Sequence, residues 1–226
     1  AYLQVVTPQR AWKIAYPADA MDFDRKKLQV ALGKNLFSLN KIRLKAENDE
    51  IKLNGELYFS KMEKPKYDIM GPFKVMPFME CKHSVFSLSH SVSGSITLNG
   101  ESIEFKEGRG YIEGDRGYSF PKHYTWIQGF FKDGTLMISV AEVPFCGLRF
   151  NGVVGFVYYM GKEYRLATYL GARTVRDGRW LEVKQGRTVL KIELPENGGH
   201  RLSAPVSGKM LRSIRENLCA RIRCVF

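Results

Sequence analysis

Apolar and polar residues alternate along much of this chain in short runs. Ile51–Phe59 reads IKLNGELYF, Ile96–Phe105 ITLNGESIEF, Phe130–Val143 FFKDGTLMISVAEV and Gly155–Leu170 GFVYYMGKEYRLATYL. A period of two puts successive side chains on opposite faces of a strand, so these runs predict strands. Six Asn-Gly or Asp-Gly pairs punctuate the chain, at Asn54, Asn99, Asp133, Asn151, Asp177 and Asn197. Such pairs accept the positive φ angles of tight turns and predict antiparallel hairpins. Helical periodicity is scarce. Met210, Ile214 and Leu218 make one helical stripe, and Leu218, Ala220, Ile222, Cys224 and Phe226 alternate as a closing strand. The expected fold is all-β, an antiparallel meander of barrel or sandwich type with little helix. The echo between the first two runs hints at duplication, though a strand-Asn-Gly-strand pattern arises easily by chance. Lys61 to Pro77, rich in Pro, Lys and Met and poor in alternation, reads as a long loop and lid.

The segment that departs most from simple strand pattern is Gly110 to Gln128, GYIEGDRGYSFPKHYTWIQ. Alternation puts Tyr111, Glu113 and Asp115 on one face of an incoming strand. It puts Tyr124, Trp126 and Gln128 on one face of an outgoing one. Gly117 and Pro121 make the turn between them. Composition alone leaves two readings open: a functional pocket, or a hairpin whose aromatics fill a core and whose acids face water.

Length and charge narrow the classes. With 226 residues the chain can bury one large β domain or two smaller ones. No apolar run approaches the roughly 20 residues of a membrane-spanning helix, and no signal peptide is visible at Ala1. The 35 basic against 23 acidic residues give a net charge of +12. The basic residues are scattered, with no basic helix interleaved with stacking aromatics, so nucleic acid is not the expected partner. A solvated basic face is the plain reading, and contact with an anionic membrane surface is the functional alternative. Cys81, Cys146, Cys219 and Cys224 form no CxxC pair. Reduced, buried thiols and a cytoplasmic protein, peripheral at the membrane in the alternative, are expected.

The Gly108–Gln128 region resembles the signature of the tocopherol cyclase-like family, Gly-Arg-Gly-Tyr-Ile-Glu-x-Asp-Trp-Gly followed by Phe-Pro-x-x-Trp-x-Trp-x-Gln. Gly108 to Glu113, Asp115, Gly117, Phe120, Pro121, Trp126 and Gln128 match it. Arg116 stands where the family has tryptophan, and Tyr124 where it has the first aromatic after the proline. Arg116 therefore suits a more polar or anionic ligand. Further stretches are similar to family elements: YPADAMDFDRKKLQVALGKNLFS, IMGPFKVMPFMECKHSVFSLSH from Ile69 to His90, YRLATYLGA, and SAPVSGKMLRSIRENL from Ser203 to Leu218. The resemblance covers most of the chain. It implies two lipocalin-like β domains in tandem, 1–120 and 121–226, divided near Phe120. It also implies another strand before Ala1 and one after Phe226, hence a chain trimmed at both ends.

The activity implied is acid-catalysed cyclisation of a prenylated quinol or another unsaturated isoprenoid, or a related isomerisation or hydration, with no redox cofactor and no metal. An acid protonates a trisubstituted alkene, and a phenol oxygen captures the tertiary cation. Burial can keep a carboxyl group protonated near neutrality, and Glu113 and Asp115 are the candidates. The alternative is that they pair with Arg109 or Arg116 and are structural. Tyr111, Phe120, Tyr124 and Trp126 would wall the cation with their ring faces, and Gln128 would orient a hydroxyl; each can equally be core. His83, His90 and Glu80 match family positions; the histidines take pocket-lining or hydrogen-bonding roles, and Glu80 is expected to be a buried, paired carboxylate. Seven residues separate the two histidines, which opposes them on a strand and argues against a metal pair. No GxSxG elbow, phosphate loop or dinucleotide fingerprint occurs. The competing class is a lipocalin-like carrier of a hydrophobic ligand, with the same pocket and no turnover.

Overall fold

A computed structural model describes residues 1–76, 79–145, 148–196 and 198–226, without the side chains of residues 144, 145 and 148. Pro77, Cys146 and Asn197, named above, lie outside the described residues. Strand accounts for 65% of the structure and among the described residues no helix reaches seven residues, so the protein is all-β. Its strands form several antiparallel sheets. The sheets are of sandwich type, and among the described residues none closes into a barrel. No helix among the described residues is long and apolar enough to cross a membrane.

The chain forms two compact units, one of residues 1–63 and 89–111, the other of residues 64–88 and 112–226. A single boundary near Phe120 was expected. The chain instead crosses three times, because two long strands each contribute one part to either unit.

The first unit begins with the hairpin β1 (Tyr2–Val6) and β2 (Ala11–Ala15). A meander follows: β3 (Met21–Asp24), β4 (Gln29–Leu32), β5 (Asn35–Phe37), β6 (Lys41–Glu47), β7 (Lys52–Phe59), β8 (Cys81–Leu98) and β9 (Glu101–Gly117). Trp12 and Ile14, alternating on β2, pack with Ala46, Ile51 and Leu53 as its core. Asn35 is buried there with its amide used in full. It donates to the Leu32 carbonyl and the Tyr16 hydroxyl and accepts from Lys45 N–H. A buried amide of this kind costs little only because each of these groups is partnered.

The second unit holds the later parts of the chain: β10 (Tyr124–Phe131), β11 (Gly134–Phe145), β12 (Leu148–Tyr159), β13 (Lys162–Ala167), β14 (Arg173–Asp177), β15 (Trp180–Gln185), β16 (Thr188–Glu193), β17 (His200–Val206), β18 (Lys209–Glu216) and β19 (Arg223–Val225). One sheet runs β10-β11-β12-β13, another β14-β15-β16-β19, and β17-β18 is a hairpin. Ile127, Leu136, Ile138, Val153 and Leu166 from one sheet pack on Leu181, Val183, Leu190 and Ile192 from the other. Period-two alternation then sends Met137, Ser139, Ala141, Val154 and Phe156 to the opposite face of β10–β13. Met137 and Phe156 are fully buried there as well, so this sheet has apolar side chains covered on both faces.

Several local expectations give way to tertiary constraints. The pairs at Asn99, Asp133 and Asp177 sit at hairpin turns, whereas Asn54 and Asn151 lie inside β7 and β12. Gly55 has φ +145° and a Cβ there would strike the Ser95 carbonyl oxygen; glycine serves close strand approach at this position. The helical stripe through Met210 and Ile214 falls on strand β18, whose pairing to β17 overrides the 3.6 spacing. The closing strand is short, only Arg223–Val225. Cys219 and Cys224 are exposed free thiols, contrary to the buried ones expected.

The stretch after Lys61 is a fixed wall where it was expected to be a lid. Ile69 and Met70 are buried, 1% and 4% exposed. Arg165 donates to the Tyr67 and Asp68 carbonyls at 3.0 and 3.1 Å, and its own charge is matched by Glu163. Glu163 in turn accepts from Lys66 N–H at 2.8 Å. A buried arginine bonded to backbone on one side and to a carboxylate on the other ties the segment to β13.

Candidate functional site

Pairing register builds a hollow into the second unit. On the face of β10–β12 away from the core, three rows of residues lie side by side. Gln128, Met137 and Phe156 form one row, Trp126, Ser139 and Val154 the next, and Tyr124, Ala141 and Gly152 the third. Large side chains fill the first row. In the next two, small residues on the central strands lie beside aromatics on β10, which leaves a cavity of about 170 Å³. Its other walls are Met70 and Phe73 from the fixed segment, Phe120 and Pro121 from the β9–β10 connection, and the beginning of β8 facing the end of β9.

That last wall carries the charge. Nδ1 of His83 is hydrogen-bonded to Oδ1 of Asp115 at 2.9 Å, and Nε2 lies 3.1 Å from Oε2 of Glu113. The second contact is off the hydrogen-bond line, so it is an ion pair without an aligned bond. Oε2 of Glu113 also accepts the indole N–H of Trp126 at 3.2 Å. Both carboxylates thus reach the histidine from the same strand face, as alternation predicts, and the partner they share is His83. Burial by itself would lower the His83 pKa. The hydrogen bond to Asp115, the close contact with Glu113 and the charges of both outweigh burial and raise it to about 9. The ring is therefore an imidazolium at neutral pH, and with two carboxylates the trio is net negative. Cys81 beside it is pushed up to about 12, first by burial and then by Asp115, so its thiol stays protonated.

Glu80, Phe120, Tyr124, Trp126, His83, Glu113 and Asp115 all line the cavity. The other candidates are elsewhere. Gln128 donates to Thr135 Oγ1 and lines a neighbouring groove. Arg116 is exposed and outside the lining, so it supplies no polar wall. Tyr111 and His90 belong to the first unit, where the His90 ring packs 4.7 Å from that of Phe59 and burial lowers its pKa. Among the described residues no group of three or more His, Cys, Asp and Glu side chains is arranged to hold a metal ion.

The groove is larger, about 1400 Å³, and runs along β10 past β18 and the 194–222 region. Tyr124, Trp126, Glu142 and Glu216 line both spaces. Glu216 was not singled out from the sequence. Burial, and then the charges of Glu113 and Asp115, raise its pKa above the usual carboxylate range. The signal that could have found it was present, since Glu216 lies within the stretch SAPVSGKMLRSIRENL, Ser203 to Leu218, which carried no assigned role. Ser139, Ala141 and Gly152 offered no such signal, because small residues in a strand read alike whether or not they border a cavity. Comparison of the chain with protein-family models, with curated proteins and with solved structures finds no match.

Proposed function

We propose that the second unit catalyses an acid-dependent addition to an unsaturated isoprenoid, of the kind the resemblance to tocopherol cyclases implies. A wall carboxyl group protonates the alkene of a prenylated quinol and the phenol oxygen closes the ring. The observation that carries this reading is the His83–Glu113–Asp115 cluster set into the wall of a cavity lined mainly by apolar and aromatic side chains. A net negative trio stabilises a developing carbocation more strongly in such a site than in water. The faces of Tyr124 and Trp126 add roughly 0.5 to 2 kcal/mol each. A volume of about 170 Å³ is close to that of cavities known to take one benzene ring, so it accommodates the reacting head and not a whole prenyl chain.

The adjoining groove favours a second reading, a carrier that shelters a long hydrophobic ligand without turnover. One experiment separates the two. Incubation with a short-chain prenylated quinol in D₂O should give a chromanol with one deuterium at the former alkene carbon. Tight binding with quinol recovered unchanged assigns the protein to the carrier class.

A further inference from the structure

Glu216, the last residue of β18, stands in the wall common to the cavity and the groove. Three other residues share that wall, and each is otherwise engaged or unsuited to give up a proton. Glu142 is paired with Arg149 at 3.2 Å. The Trp126 N–H is taken by Glu113. The Tyr124 hydroxyl is pushed up to about 12, mainly by burial. Of the two carboxylates in that wall, Glu142 and Glu216, it is Glu216 that has neither an ion-pair nor a side-chain hydrogen-bond partner among the described residues. Its strand neighbour Arg212 is turned away to the Pro121 and Lys122 carbonyls, each at 2.8 Å.

The charged and titratable groups acting on this corner are Cys81 from β8, Glu113 and Asp115 from β9, Tyr124 from β10 and Arg212 from β18. The two acids and burial favour a neutral Glu216 carboxyl. The two acids themselves are committed to His83. A division of labour follows from this placement, one carboxyl able to carry a proton and two able to carry charge.

We infer that Glu216 is the group that protonates the substrate, while Glu113 and Asp115, clamped by His83, stabilise the cation that results. This rests on the acid-catalysed reading above. The O–H bond of Glu216 breaks and its proton joins the less substituted alkene carbon, whose π electrons form the new C–H bond. The phenol oxygen then bonds to the tertiary cationic carbon. The phenolic proton returns to the Glu216 carboxylate, so nothing is oxidised or reduced and the acid is regenerated. The substrate class is accordingly one whose alkene and nucleophilic hydroxyl lie within one ring closure of each other.

The test uses the full chain, a short-chain prenylated quinol, and its saturated analogue as a binding probe read by tryptophan fluorescence. Glu216→Gln should lower chromanol formation by at least about 100-fold, the scale of a lost general acid. It should leave affinity for the saturated analogue within about twofold. Glu216→Asp, which keeps a carboxyl group, should restore part of the rate and guards against a folding defect. If the wild type turns over and Glu216→Gln does so within about threefold of it, the assignment of Glu216 is overturned and the cyclase reading stands. If the wild type binds the analogue and forms no chromanol, the cyclase reading and this inference fall together.

Discussion

Trp126 on β10 donates its indole N–H to Glu113 on β9, 3.2 Å away. One side chain thereby supplies an apolar wall to the cavity and a fixed donor to the charged cluster. The two functions can be separated by mutation. Trp126→Phe keeps most of the wall and loses the donor. It should cost about 1.5 to 3 kcal/mol of folding stability, the range for a hydrogen bond to a charged group, with small change in ligand affinity. Trp126→Ala should weaken binding of a prenylated ligand by about 1 to 3 kcal/mol through lost apolar area. Fluorescence-detected unfolding and isothermal titration read the two effects; equal affinity loss in both variants would mean that the indole N–H, and not the wall, binds the ligand.

Stability should fall at alkaline pH because of His83. Its pKa is about 9 in the folded protein against an ordinary 6.5, so the folded state holds this proton more tightly than the unfolded chain. The linked stabilisation is fully present below pH 6.5 and is lost as pH rises through about 9. Urea unfolding of the wild type and of His83→Gln should differ most near neutrality or below and converge by about pH 10. A difference that widens with pH contradicts the imidazolium assignment.

Ala141 occupies the centre of the hollow, beside Tyr124 on one side and Gly152 on the other. Ala141→Leu should fill much of the 170 Å³ cavity and abolish binding of the quinol head. Because empty space is available, folding stability should change by less than the 1 to 3 kcal/mol or so typical of overpacking. Thermal unfolding together with ligand titration checks this. Retained binding would place the ligand entirely in the groove.

The fixed wall depends on Arg165. Arg165→Ala strips the partner from Glu163, whose side chain is 3% exposed, and should destabilise the second unit by about 3 to 5 kcal/mol. Release of the Tyr67 and Asp68 carbonyls should also make the Lys66–Tyr67 bond open to trypsin. Faster cleavage at that bond, mapped by mass spectrometry under native conditions, is the expected result; an unchanged digest would mean that Ile69 and Met70 hold the segment by burial alone.

What was legible in the sequence was local. Alternation identified the strands around Glu113, Asp115, Tyr124 and Trp126 and the faces on which they lie, because a period of two is a property of consecutive residues. It also opposed His83 and His90, which the structure assigns to different units. The partnership of His83 with both carboxylates was not legible, since the nearer of them is 30 residues along the chain and only the pairing of β8 with β9 joins them. The cavity was hidden for the same reason. Ser139, Ala141 and Gly152 border a hollow only through the registers of β10, β11 and β12, and a shift of one residue would turn all three to the other face. Glu216 comes from still farther, on a hairpin that reaches the β9–β10 connection through Arg212 and the Pro121 and Lys122 carbonyls. Composition and alternation determine which segments become strands and which side of each is apolar. Only tertiary packing decides which charged groups share one wall, because burial and proximity, the two quantities that set their proton affinities, exist only after distant strands have met.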